Sequence, residues 1–233
     1  GKGAVGIEWN TVANNNNTFV ANNCTFQNNY SSYGTVYSGA SVVGRFQFAQ
    51  CLFSNNSVPN TGVQDSFAST GVYVWWASGS GFLQIDRCQF IDNTNGVLFG
   101  ISYITPISIR NSLFVNNKCN WDMLYGYNWG GSIVNCTFIR NKGNLSGRDP
   151  FNGGIYLRNS VVSSNDTPIS GGNGPYLTIQ TSMVWQASLG TYNGASGGIV
   201  TNVDPQIRSD LRLRWGSPAI DAGNDAYVTV ATD

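Results

Sequence analysis

Apolar residues recur in this chain on two scales. Within short stretches they alternate with polar ones, most clearly in LQIDRCQF (83–90), ISIRNSLF (107–114), IYLRNSVV (155–162) and LTIQTSMV (177–184). Alternation of period two predicts strands with one buried face. On the longer scale the stretches themselves repeat. Six segments align: NCTFQNN from Asn23, QCLFSNN from Gln50, RCQFIDN from Arg87, NSLFVNN from Asn111, NCTFIRN from Asn135 and NSVVSSN from Asn159, with a weaker seventh, TSMVWQA, from Thr181. Their second residues form a column of Cys24, Cys51, Cys88, Ser112, Cys136, Ser160 and Ser182, spaced by 27, 37, 24, 24, 24 and 22 residues. The period is therefore near 24, with one long insertion between Cys51 and Cys88.

Further columns keep step with the first. Two places later stand Phe26, Phe53, Phe90, Phe114, Phe138, Val162 and Val184; three places earlier, Ala21, Phe48, Ile85, Ile109, Ile133, Leu157 and Ile179; five earlier, Phe19, Phe46, Leu83, Ile107, Gly131, Ile155 and Leu177. Five places after the Cys/Ser column an asparagine recurs: Asn29, Asn56, Asn93, Asn117, Asn141 and Asn165. Asparagine at a fixed turn position takes a left-handed conformation at low cost, and stacked amides hydrogen-bond along a ladder. A second apolar strand shows at Val36, Val72–Val74, Val97–Phe99 and Met123–Tyr125. A repeat of this length fits one turn of a solenoid built from short strands, with coils about 4.8 Å apart, so that seven coils would span roughly 34 Å. A β-sandwich would also contain short strands, but gives no reason for one fixed column of Asn and another of Cys or Ser.

The N-C-T-F-x-x-N coils resemble the right-handed parallel β-helix repeats of secreted bacterial proteins, over about Phe19 to Val184. The segment from Asp204-Pro205 through Asp210-Leu211-Arg212-Leu213 to Gly216-Ser217-Pro218-Ala219-Ile220-Asp221-Ala222-Gly223-Asn224 resembles the closing segment of the same proteins. The resemblance implies an all-β, right-handed parallel β-helix of seven to eight coils over residues 1–203, and a capping segment at 204–233 with Ile220 plugging the end. It also implies that the chain is a piece of a longer polypeptide, since it stops where a Thr-Asp-x-x-Gly-Asn-x-Arg stretch is expected, and that anchoring or other domains belong to that polypeptide.

Composition narrows the chemistry. The chain has 12 Lys+Arg, 12 Asp+Glu and no His, a charged fraction of 10%. That is less than half of the roughly 25% usual for globular domains. Without histidine this chain cannot supply a Ser-His-Asp or Cys-His nucleophile or a His-ligated metal. Zero net charge argues against a nucleic-acid partner, and no run of about 18 apolar residues predicts a membrane span. Five cysteines, four of them in one column, read as small buried residues; the alternative is a disulfide, with Cys24–Cys51 the best-placed pair. Cys119 lies off the column and is expected in a loop. Asp86 and Arg110, one coil apart, are expected to form a surface ion pair.

Many β-helices cleave polysaccharides, by Ca²⁺ held among carboxylates or by paired aspartates. Here Asp86 and Asp92 share a coil, while Asp122, Asp149 and Asp166 fall in separate loops, so no catalytic residue is assigned. No resident cofactor or metal is expected, Ca²⁺ being compatible with the fold but not indicated. Aromatic residues in the polar excursions, Trp75, Trp76, Trp121, Tyr125, Tyr127 and Trp129, suit stacking on sugar rings. The reading is a secreted or cell-surface bacterial module with a structural or adhesive role, binding carbohydrate or other surface proteins. Its alternatives are a polysaccharide lyase or glycoside hydrolase, and a subunit of an extracellular filament or sheath.

Overall fold

The computed structural model describes residues 5–8, 17–32, 34–39, 44–59, 69–74, 81–102, 106–127, 130–146, 155–165, 177–185, 195–196, 200–201 and 203–227. The described strands form three sheets, and the chain visits them in rotation. Sheet A stacks β1 (Val5–Glu8), β4 (Gly34–Gly39), β7 (Ser69–Val74), β10 (Val97–Ser102), β13 (Lys118–Tyr127) and β16 (Lys142–Ser146). Sheet B stacks β2 (Asn17–Asn22), β5 (Gly44–Ala49), β8 (Phe82–Asp86), β11 (Ile107–Arg110), β14 (Gly131–Val134), β17 (Ile155–Arg158), β19 (Leu177–Gln180) and β21 (Ala195–Ser196). Sheet C stacks β3 (Thr25–Gln27), β6 (Leu52–Ser54), β9 (Gln89–Ile91), β12 (Leu113–Val115), β15 (Thr137–Ile139), β18 (Val161–Ser163), β20 (Met183–Trp185) and β22 (Val200–Thr201). Every pairing in the three sheets is parallel, one coil to the next, for example Ile107 with Leu83 and Gly131. The chain is a parallel β-solenoid. Among the described residues, six coils carry a strand in all three sheets, fewer than the seven to eight expected, and two more extend sheets B and C alone.

The sequence columns are vertical rows of this stack. Phe46, Leu83, Ile107, Gly131, Ile155 and Leu177 pair in register, as do Phe48, Ile85, Ile109, Ile133, Leu157 and Ile179. All but Gly131 belong to one continuous buried core. Phe26, Phe53, Phe90, Phe114 and Phe138 stack ring on ring with centroids 4.5–5.0 Å apart and interplanar angles of 4–14°. Offset stacking at this distance is favourable, and the coil rise imposes it. Gly131 stands in an apolar column for a steric reason: a Cβ there would lie 1.9 Å from the Ile107 carbonyl oxygen.

Among the described residues, two corners of the coil follow one design. A single residue enters the left-handed region, with φ between 44° and 58°, and a ladder residue follows. Between sheets B and C the left-handed residues are Asn23, Gln50, Arg87, Asn111, Asn135, Asn159 and Thr181; between C and A they are Asn28, Asn55, Asp92, Asn116, Arg140 and Ser164. The recurring Asn column is therefore not the left-handed position expected of it. That role falls one residue earlier, and the column residue forms the ladder. Backbone bonding continues through the corner, as in Arg87 N–H to Arg110 carbonyl at 3.1 Å and Gln89 N–H to Cys51 carbonyl at 2.8 Å. The ladder residue's own N–H turns to the side chain of the next coil instead. Asn56, Asn93 and Asn117 donate their N–H to Oδ1 of Asn93, Asn117 and Asn141 at 3.0–3.1 Å, and their Nδ2 to the same oxygens at 2.8–3.0 Å. At the other corner Cys88 and Cys136 donate their N–H to Ser112 and Ser160 Oγ at 3.1 Å.

The C-terminal segment packs against the flank of the rod. Asn159 Nδ2 donates to the Asn224 carbonyl at 3.0 Å, and Asn224 N–H donates to Asn159 Oδ1 at 2.9 Å. The Arg158 guanidinium lies over the Tyr156 ring at 4.4 Å and the Tyr227 ring at 4.6 Å. Ile220, expected to plug the end of the core, is 42% exposed.

Candidate functional site

The surface available for recognition follows from which side chains the columns turn outward. On sheet B the outward row between the two core rows is Val20, Gln47, Gln84, Ser108, Ser132, Tyr156 and Thr178, in direct register. Hydroxyls and amides thus line most of one face, and Gln47 Nε2 donates to Gln84 Oε1 at 3.3 Å. Tyr156 is 39% exposed there, its ring backed by Arg158. Next to this row, at the corner, runs a second chain of amides: Asn135 Nδ2 donates to Asn111 Oδ1 at 3.2 Å, and Asn111 Nδ2 to Asp86 Oδ1 at 3.0 Å. On the other corner Asn116 Nδ2 donates to Asp92 Oδ1.

Of the aromatic residues singled out in the sequence, Trp75, Trp76 and Trp129 lie outside the described residues. Trp121 and Tyr127 fall in β13, with only their backbone described. Tyr125 is 3% exposed and stands in register with Gly100 and Tyr73, on the face of sheet A opposite the core row of Val36, Val72, Phe99 and Leu124. The apolar strand expected at Met123–Tyr125 is part of a ten-residue strand in sheet A, paired with β10 on one side and β16 on the other, and it takes in Trp121 and Tyr127 as well. The same strand takes Cys119 out of the expected loop and buries it.

Charged groups are engaged locally. Asp86 pairs with Arg87 Nε at 3.2 Å, although Arg110 sits beside it in register as expected. The adjacent residue reaches the carboxylate because its left-handed backbone turns the chain there. Asp149 and Asp166 lie outside the described residues, and among the described residues no three His, Cys, Asp or Glu side chains gather as metal ligands. No described helix is long and apolar enough to cross a membrane.

All five cysteines are free thiols, so the Cys24–Cys51 pair is not a disulfide in this structure. Burial pushes the Cys88 and Cys136 thiols up to about 12, and that of Cys51 upward in the same direction. A thiol that stays protonated is a poor nucleophile, so this column is core rather than chemistry.

Sequence reasoning passed over three features: the outer amide chain at Asp86, Asn111 and Asn135, the Arg158 sandwich, and the full exposure of Trp215. The first had a signal, since Asn recurs one place before the Cys/Ser column at Asn23, Asn111, Asn135 and Asn159. The Arg158 sandwich joins Tyr227 to a distant coil, and the exposure of Trp215 depends on how its hairpin is placed, so neither leaves a local pattern. Comparison with protein-family models and with curated proteins finds no match.

Proposed function

We propose that this solenoid is a secreted or cell-surface module, of bacterial type, with a structural and adhesive role in which it holds glycans. The observation that carries the reading is the outer face of sheet B, a row of Gln47, Gln84, Ser108 and Ser132 with the partly exposed ring of Tyr156 next in register. Amides and hydroxyls in a line pair with sugar hydroxyls, and an aromatic ring stacks on a sugar face. Trp75, Trp76, Trp121, Tyr125, Tyr127 and Trp129 would offer further rings for stacking on sugars. Other surface proteins and other domains of a longer chain are the further partners this role calls for.

The test is a neutral-glycan array with the intact chain and with Trp75→Ala, Trp129→Ala and Gln84→Ala. Binding lost or weakened about tenfold in the Trp variants supports the excursion site, and loss in Gln84→Ala supports the sheet face. Binding unchanged in all three overturns both assignments, and the absence of any glycan bound overturns the adhesive reading.

A second reading, assembly into an extracellular filament, draws on the N-terminal end of the rod. Phe19, Cys24 and Phe26 pack against the core there yet stay half-buried, whereas their equivalents in later coils, Gly131 apart, are buried. If the end stacks on another rod, Phe19→Asp shifts concentrated protein from assemblies to monomer in light scattering. Monomer at every concentration for the unchanged chain removes this reading.

A further inference from the structure

The C-terminal segment bears a group of side chains that neither the core nor the flank contacts use. Residues 206–214 close into a short hairpin. Ile207 and Leu213 form an antiparallel bridge, Arg208 N–H donates to the Arg212 carbonyl at 2.8 Å, and Arg214 N–H donates to the Gln206 carbonyl at 2.9 Å. Trp215 comes next, and Gly216, at φ +80°, turns the chain back toward the rod. Trp215 is 99% exposed, with Leu213 beside it at 36%. A scattered exposed aliphatic is ordinary, but a whole indole left in water is informative.

The same hairpin concentrates positive charge. Arg208, Arg212 and Arg214 are three of the 12 Lys+Arg in the chain, they fall within seven positions, and all are exposed. Arg208 pairs with Asp210 at 3.5 Å, and Asp210 also accepts the Arg212 N–H at 3.3 Å, so the one acid in the hairpin is committed to its own turn. The two described ion pairs include neither Arg212 nor Arg214. Two uncompensated guanidinium groups and a bare indole therefore occupy four consecutive positions of a segment fixed by its own hydrogen bonds.

We infer that this hairpin is a binding site for an anionic polysaccharide, Trp215 stacking on a sugar ring while Arg212 and Arg214 take the carboxylate or sulfate groups. Guanidinium matches such groups bidentately, and a rigid aromatic platform matches a pyranose face. Two free cations fall short of the cluster of about four to eight that holds a protein on an anionic membrane. An acidic polypeptide offers the charges without the regular rings that would use the indole. The site rests on the adhesive reading only in that the chain meets glycans; its residues and the charge of its ligand are different.

The test uses the 233-residue chain and alginate as a polyuronate, measured by calorimetry at low and high salt, with dextran, polyglutamate and phosphatidylglycerol vesicles as comparison probes. Alginate binds and is weakened by salt. The double substitution R212Q/R214Q lowers affinity about tenfold or more and flattens the salt dependence. Trp215→Ala lowers affinity roughly tenfold while the salt dependence stays. Because these side chains are exposed, all three proteins keep the same thermal unfolding midpoint. No alginate binding, or equal binding by the variants, overturns the site. Equal affinity for polyglutamate or vesicles overturns the choice of ligand. Alginate binding lost in Trp75→Ala but kept in Trp215→Ala overturns this site while supporting the excursion aromatics. Conversely, failure of the neutral-glycan array leaves the alginate result standing.

Discussion

Asn117 shows what a single ladder residue does. Its Oδ1 accepts the N–H and Nδ2 of Asn93, and its Nδ2 donates to Asn141 Oδ1 at 2.9 Å and to the Phe90 carbonyl at 2.8 Å, all out of contact with water. Asn117→Ala leaves the Asn93 N–H, one Asn93 amide hydrogen and the Phe90 carbonyl unpaired. At about 1–3 kcal/mol for each orphaned buried group, the loss should reach roughly 3 kcal/mol or more in urea unfolding. Asn29→Ala, at the half-buried end of the ladder, removes only the Nδ2 bond to Asn56 and should cost about 1 kcal/mol. Equal losses at the two positions would mean that the ladder is not what Asn117 contributes. The buried thiols make a second prediction. An unfolded thiol ionises near pH 9 whereas folded Cys88 and Cys136 ionise near 12, so the stability they contribute is intact below pH 9 and is lost as pH rises toward 12. Each thiol steepens the loss by about 1.4 kcal/mol per pH unit in that window. Ser fills the same column at Ser112, Ser160 and Ser182, so Cys136→Ser should fold normally and flatten the alkaline limb of stability against pH. An unchanged limb would place the alkaline sensitivity elsewhere.

The strand and corner show how far the sequence carries and where it stops. The strands of sheets B and C, their register and their inward rows were readable because identical columns must stack directly above one another in a parallel solenoid. Sheet A was readable only from fragments such as Val72–Val74, since the residues flanking it vary in number from coil to coil. The corner was half-read. The Asn column pointed to a ladder, but the left-handed residue before it is Asn, Asp, Arg or Ser, and so carries no fixed letter. Tyr125 belongs both to an apolar run, Met123–Tyr125, and to a stretch rich in Gly and Trp, and pairing on both sides of β13 makes the run a strand. Two substitutions check the local physics. Arg140 is left-handed and exposed, so Arg140→Asn should stabilise by several tenths of a kcal/mol and Arg140→Val should destabilise by about 1 kcal/mol. Phe114 stacks between Phe90 and Phe138, and Phe114→Ala should cost about 3–5 kcal/mol. A loss well under that range would mean the neighbouring rings close the gap.

At the scale of the whole molecule, contacts run from coil to neighbouring coil, and stability of this kind is close to a sum of local interfaces. The C-terminal segment departs from that rule, joining residues 65 positions apart through Asn159 and Asn224. The amide of Asn159 treats Asn224 as a strand partner would, giving one bond and taking one. Gly223 lies beside it, where a Cβ would meet the Asn159 amide at 3.4 Å. Arg158, held by Gln180 Oε1 at 2.6 Å, places its cation between Tyr156 and Tyr227. Two hydrogen bonds at about 1 kcal/mol each and the one cation–π contact that crosses to Tyr227, at about 0.5–1 kcal/mol, would hold the segment by roughly 3 kcal/mol. That is less than the stability of a typical domain, so the segment should open while the coils stay closed. Asn159→Ala removes both bonds to Asn224, along with the one its Oδ1 accepts from Thr181 Oγ1, and should raise amide exchange across 216–227 by roughly thirtyfold, leaving 107–141 unchanged. Faster exchange in both regions would show instead that the segment props up the rod, and no change in either would show that the Arg158 sandwich alone fastens it.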